Sequence, residues 1–122
     1  MAALNIAFES PDNSRGPTPS RERAIDLVHL GKQTMGDKAL EVEVLQMFAR
    51  QARSCLQEIG SGDAKRIHEA SHRLKGAASA IGAFRVADAA GALENDGGDA
   101  AHMAAVTTCV IEAENFILKL SR

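Results

Sequence analysis

Proline is absent from this chain after residue 19, and this absence favours long helices over most of its length. The three prolines are Pro11, Pro17 and Pro19, and they stand beside Asp, Asn, Ser and Gly residues. Such a segment is typical of a flexible arm. We therefore expect an N-terminal arm over residues 1–19 and a helical domain over residues 20–122.

Aromatic and cysteine side chains are also scarce. The chain has four Phe, no Trp and no Tyr, so its core must be mainly aliphatic with close alanine contacts. Its two cysteines, Cys55 and Cys109, occupy apolar helical positions, where a buried free thiol is the usual state. This usage favours a reducing, cytoplasmic compartment.

Several classes of protein are disfavoured by what the sequence does not contain. A formal net charge of -2 gives no basic field for nucleic acid or an anionic membrane. No apolar run approaches the roughly 18 residues that a membrane span needs. The N-terminus lacks the basic start and apolar core of a signal peptide. We expect a soluble domain that binds neither nucleic acid nor membrane.

Five helical runs follow from apolar periodicity and from capping residues. Ser20 is a possible cap for a first helix that runs to about Gln33, with Ile25, Val28 and Leu30 facing inward. Asp37 and Asp63 are natural N-caps for a second helix to Ile59 and a third to Ile81. A fourth is predicted over residues 84–94. The last opens near Asp99, with a stripe formed by Met103, Val106, Val110, Ala113, Ile117 and Leu120. Short turns between amphipathic helices predict an all-α, antiparallel up-down-up-down four-helix bundle with a short additional N-terminal helix.

The segment from residue 68 to residue 83 is the most informative part of the sequence. At about 100° per residue, one side of this helix is aliphatic, with Ile67, Ala70, Leu74, Ala77, Ala78 and Ile81. The other side carries Lys65, His68, His72, Lys75, Gly76 and Ser79. Packing does not explain a histidine that faces water, and a glycine inside a helix costs up to about 1 kcal/mol relative to alanine. Imidazole, a nearby ammonium and open space together indicate a site for a phosphoryl group.

These residues resemble a known signature. His72-Arg-Leu-Lys-Gly76, followed by Ser79-Ala-Ile-Gly82, is similar to the His-x-Leu-Lys-Gly motif of the histidine-containing phosphotransfer (HPt) family, which has a second glycine ten residues after the histidine. The similarity extends upstream to Gly36-Asp37 and downstream to Leu93-Glu94. It covers most of residues 25–120.

The resemblance implies a phosphorelay intermediate. His72 would accept a phosphoryl group at Nε2 from an aspartyl phosphate on one receiver domain and pass it to another, while Lys75 offsets the phosphoryl charge. The expected partner-binding residues are Gly76, Ser79, His68, Arg73 and Arg85. Apart from Gly76, which would leave room for the receiver, each of these is also compatible with an ordinary solvated side chain.

The same resemblance implies how the protein works with its partners. We expect a phosphocarrier without autonomous kinase activity and without a cofactor or metal of its own, since Mg²⁺ would belong to the acidic cluster of the receiver. The expected partners are receiver domains of response regulators or of a hybrid histidine kinase. A monomer is expected.

Other interpretations use the same residues. His68-Glu69-Ala70-Ser71-His72 matches the zinc-hydrolase pattern His-Glu-x-x-His, for which Glu94, His102 or His29 would be the third ligand. A small aliphatic bundle leaves little room for the substrate cleft of such an enzyme. His68-Glu69 also resembles the phosphorylated helix of a sensor kinase, but the chain has no glycine-rich nucleotide-binding region. A non-catalytic helical interaction module is the remaining alternative.

Overall fold

The chain folds into five helices and no strand over the residues that the structure, a computed structural model, describes, namely 23–96 and 98–120. The helices are α1 (Leu27–Gln33), α2 (Lys38–Ile59), α3 (Ala64–Ile81), α4 (Phe84–Asn95) and α5 (Ala100–Leu120). Helices α2 to α5 form the antiparallel four-helix bundle, and α1 packs against α3. The predicted fold class is therefore confirmed. The predicted arm, residues 1–19, lies outside the described residues.

Aspartate side chains begin three of the helices. Asp26, Asp37 and Asp63 each accept a hydrogen bond from a backbone N–H of the first turn, which satisfies a donor that has no partner within the helix. The predicted caps of α2 and α3 are thus confirmed. The C-terminal end of α3 is capped by Gly82, which takes the left-handed conformation (φ 87°).

The start of the first helix was predicted wrongly. Residues 23–25 are bends, and α1 begins at Leu27, with Asp26 as its cap instead of Ser20, which lies outside the described residues. The backbone N–H of Asp26 donates to the Gly82 carbonyl at 2.9 Å, so the entry into α1 is tied to the turn between α3 and α4. A side chain at Gly82 would clash, because its Cβ would lie 2.8 Å from the Asp26 carbonyl oxygen.

The core is aliphatic and alanine-rich, as the composition predicts. The predicted stripe of α2 is buried in full: Leu45, Phe48, Ala52, Cys55 and Ile59. Two predicted core positions are instead exposed. Val28 faces solvent because α1 is short and buries Leu30 alone, and Leu120 is the last residue of α5, past the end of the packed stripe. Both cysteines are free, Cys55 buried and Cys109 half-buried.

No described helix combines the length and the apolar character that crossing a membrane requires.

Candidate functional site

Helix α3 has the two faces that the sequence predicts. Leu74 and Ala78 are completely buried, as is Ala70, whereas the His72 side chain is 67% exposed. Ala77, predicted on the buried side, is half-buried at its edge. The core also contains Ser71, whose hydroxyl donates to the Ile67 carbonyl at 2.7 Å, and this i−4 bond explains how a polar residue lies there. The imidazole of His72 therefore lies on the surface, on the side of α3 opposite its buried residues.

Glu94 of α4 fixes the orientation of the His72 ring. Its Oε2 lies 2.8 Å from Nδ1 of His72, and the Glu94 side chain is only 12% exposed. A carboxylate accepts hydrogen bonds and does not donate them, so Nδ1 carries the proton. In the neutral ring the lone pair is then on Nε2. In the neutral form of this exposed imidazole, Nε2 is therefore the nitrogen that carries no proton.

Lys75 binds the other oxygen of the same carboxylate. Its Nζ lies 2.8 Å from Oε1 of Glu94. Hydrogen bonds from Lys75 and then from His72 hold the pKa of the Glu94 carboxyl below its ordinary value. The sequence placed Lys75 one turn from His72 on the same face, and in the structure Lys75 pairs with Glu94, the residue that also contacts the His72 ring.

His68 completes this group from one turn earlier on α3. Its Nδ1 donates to the backbone carbonyl of Glu94 at 3.2 Å, and its Nε2 lies 4.0 Å from Oε2. The side chain is 61% exposed. His68, His72 and Lys75 of α3 thus converge on one residue of α4, and we call these four residues the Glu94 cluster.

The surface beyond His72 along α3 is open. Gly76 and Ser79 are both exposed, and a Cβ built on Gly76 would meet no atom within 4 Å. Nothing in the fold therefore requires a glycine at this position. The absent side chain leaves the approach to the imidazole clear.

The two predicted arginines lie at the margins of this surface. Arg73 pairs with Glu58 of α2 and borders the same surface depression as His72 and Glu94. Arg85 of α4 lies 3.4 Å from Glu112 of α5. Neither joins the Glu94 cluster, and Arg85 is directed toward a different pair of helices.

Metal-ligand geometry is found elsewhere in the described residues. In 23–96 and 98–120, the side chains whose ligand atoms all lie within 4.8 Å of one another are Asp96, Asp99 and His102. His102 therefore has other partners, and His29 bonds the Ala80 carbonyl. Glu94 does contact His72, but as the acceptor of a hydrogen bond. These side chains therefore do not place a third zinc ligand beside His68 and His72.

Glu94 is the residue whose importance sequence reasoning missed. It entered only in the family resemblance and as one possible zinc ligand. Its position next to the buried Leu93 indicates a helix edge, but the sequence does not indicate which helix that edge faces. Only the packing of α4 on α3 brings Glu94 to His72.

Comparison with known families agrees with this arrangement. The model of the Hpt domain family matches residues 43–117, more than half of the chain, and the protein belongs to this family. Domains of this family act in histidine phosphotransfer within phosphorelays, as phosphocarriers that interact with receiver domains. No curated protein and no solved structure gives a significant match to the chain.

Proposed function

We propose that this protein relays a phosphoryl group between the aspartates of receiver domains through Nε2 of His72. The observation that carries the proposal is the bond between His72 Nδ1 and Glu94, which makes Nε2 the nitrogen without a proton in the neutral form of this exposed ring. A neutral imidazole is a competent nucleophile near pH 7. The family assigns the general role, and this geometry supports His72 as the carrier.

In the proposed step, the Nε2 lone pair attacks the phosphorus of an aspartyl phosphate. The N–P bond forms as the P–O bond to the aspartate breaks, and the aspartate leaves as a carboxylate. The ring keeps its Nδ1 proton and becomes positively charged, and the Glu94 carboxylate at 2.8 Å stabilises that charge. The reverse sequence returns the phosphoryl group to a second receiver.

The remaining residues of the site have supporting roles in this proposal. Lys75 keeps Glu94 ionised, and its role in the proposal is to offset charge on the phosphoryl oxygens. Gly76 gives the receiver access to the ring, and Ser79 and His68 border the same surface. Arg73 and Arg85 contact a docked receiver only at its rim.

Receiver domains of response regulators or of a hybrid kinase are the proposed partners, and they supply the Mg²⁺ that the reaction uses. A reversible relay favours a transient interface of about 1,200 Å² or less in total. We further propose that the protein is a cytoplasmic monomer.

Incubation with a ³²P-labelled phospho-receiver tests the role of His72. We expect acid-labile, base-stable label on the wild-type protein and none on His72→Gln, which folds normally because the side chain is exposed. His102→Gln is the matched control, since it removes a partly exposed histidine that lies outside the Glu94 cluster, and it is expected to keep the label. Equal labelling of wild type and His72→Gln would contradict the proposal and leave a non-catalytic interaction module. A zinc assay on the dialysed protein separates both from a metal-dependent hydrolase.

A further inference from the structure

Gly91 lies in α4, three residues before Glu94, on the surface that packs on α3. A glycine inside a helix lowers its stability relative to alanine, so its presence at a half-buried position calls for a reason. A Cβ built on Gly91 would lie 3.3 Å from Cδ of Lys75, and no other described atom outside the local backbone lies within 4 Å. The space left by the missing side chain borders the methylene chain of Lys75.

We propose that Gly91 is a positioning residue of the phosphotransfer site, because it provides the path along which Lys75 reaches Glu94. The stem of Lys75 passes beside Gly91, and its Nζ ends 2.8 Å from Oε1 of Glu94. Residues three apart on a helix are neighbours on one face, so the glycine and the carboxylate form one continuous surface of α4. Any side chain at position 91 competes with Lys75 for this surface.

The effect of Gly91 on His72 passes through two other residues. Lys75 holds one oxygen of Glu94, and the second oxygen accepts the Nδ1 proton of His72. His68 is the other titratable group that faces this carboxylate in the described structure, at 4.0 Å. When Lys75 is displaced, Glu94 loses its nearest cation, and the His72 ring loses part of what fixes its tautomer. The role in transfer rests on the proposed function, whereas the effect on Glu94 does not.

Two substitutions at Gly91 obstruct the path of the Lys75 side chain to different extents. Gly91→Ala requires Lys75 to shift by a few tenths of an ångström, and Gly91→Leu fills the path with a strong helix former. Gly31→Ala is the matched control, because Gly31 is a glycine in α1 whose Cβ would meet nothing within 4 Å. Lys75→Ala and the double variant Gly91→Leu with Lys75→Ala complete a mutant cycle.

Three measurements separate a positioning role from a purely structural one. They are the titration of the Glu94 carboxyl by ¹³C NMR, the ¹⁵N shifts of the His72 ring, and the rate of transfer from a labelled phospho-receiver. We expect Gly91→Leu to raise the pKa of Glu94 toward its ordinary value and to slow transfer by the same factor as Lys75→Ala. The leucine substitution has no further effect when Lys75 is already alanine. Gly91→Ala is expected to change each of these quantities in the same direction, but by a smaller amount than Gly91→Leu. If the leucine variant does not fold, the alanine variant alone provides the test.

The proposal is overturned if Gly91→Leu leaves the Glu94 titration at its wild-type position, or if Gly31→Ala moves it equally. It is also overturned if the losses in transfer rate multiply in the double variant, because Gly91 would then act independently of Lys75. A shifted Glu94 titration in a protein whose wild type accepts no phosphate would support the positioning by Gly91 and refute the proposed function instead.

Discussion

Glu94 is the residue on which the arrangement of the site depends. It accepts from the His72 ring through one oxygen and from Lys75 through the other, while its backbone carbonyl accepts from His68. Each contact links α3 to α4. The bond to Nδ1 determines which nitrogen of the neutral His72 ring is free, so one carboxylate controls both the orientation and the tautomer of the ring.

Glu94→Gln removes the charge of this carboxylate at nearly constant size. Because an amide can either accept or donate, the Nδ1–H tautomer of His72 is no longer enforced. We expect the transfer rate to fall by about tenfold or more, as when other imidazoles lose an orienting carboxylate. Two-dimensional ¹H–¹⁵N spectra of the ring would report a mixed tautomer. A wild-type rate with the Nδ1–H tautomer intact would contradict the role of Glu94.

Gly76→Gln tests access to the imidazole. The substitution places a long side chain where a Cβ meets nothing within 4 Å, so the fold tolerates it. Since glutamine favours helix over glycine, the denaturation midpoint should stay equal or rise. Transfer from a phospho-receiver should slow through steric blockage, as measured by rapid-quench labelling. Gly31→Ala again serves as the control, and unchanged transfer kinetics in Gly76→Gln would refute the access argument.

At the scale of the helix, α3 both supports the core and carries the site. Its buried stripe and its exposed histidines follow from the same 3.6-residue period. Burying the stripe in the core therefore also places the histidines on the surface. Its ends are fixed by Asp63 and by Gly82 in the left-handed conformation. The caps fix where the helix begins and ends, and the burial of its apolar stripe determines the side on which His72 lies.

Leu74→Ala tests the buried side of this helix. The residue is fully buried, so truncation leaves a cavity, and we expect a loss of about 2–5 kcal/mol in the free energy of unfolding. Urea denaturation followed by circular dichroism measures it. Ser79→Ala, on the exposed side, should change stability by less than about 0.5 kcal/mol. A near-neutral midpoint for Leu74→Ala would mean that the assignment of faces is wrong.

The sequence predicted the long helices better than the short one. In α2 and α3, repeated apolar positions and an aspartate cap agreed, and the bounds were correct. In α1 the seven helical residues bury one side chain, so periodicity carries little information there. The true start depends on Asp26, whose backbone bonds Gly82, a residue distant in sequence. A local pattern does not contain that contact.

At the scale of the whole molecule, the exposed hydrophobic side chains and the polar surface around His72 lie on different helices. Among the described residues, the large hydrophobic side chains that remain exposed lie on α1, the following turn, α2 and α5, and none lies on α3 or α4. The surface around His72 is therefore polar, with small side chains beside the ring. Such a surface suits a partner that must bind and leave repeatedly.

Acid should destabilise the whole bundle partly through Glu94. Its pKa is lowered in the folded protein, chiefly by Lys75, so its contribution to stability is present above the ordinary value of 4.5 and is lost as pH falls through the folded value. The dependence of stability on pH below 4.5 should therefore be shallower in Glu94→Gln. Urea titrations at several pH values measure this slope. Identical slopes in the two proteins would contradict the linkage.

The sequence alone was sufficient for the long helices α2 and α3, their aspartate caps, most of their buried stripes and the outward position of His72, because all of these follow from periodicity and from residues within one or two turns. The convergence of His68, His72 and Lys75 on Glu94 required the tertiary structure. That cluster depends on how α4 packs against α3, which is set by side-chain volumes across the interface, including the missing side chain at Gly91.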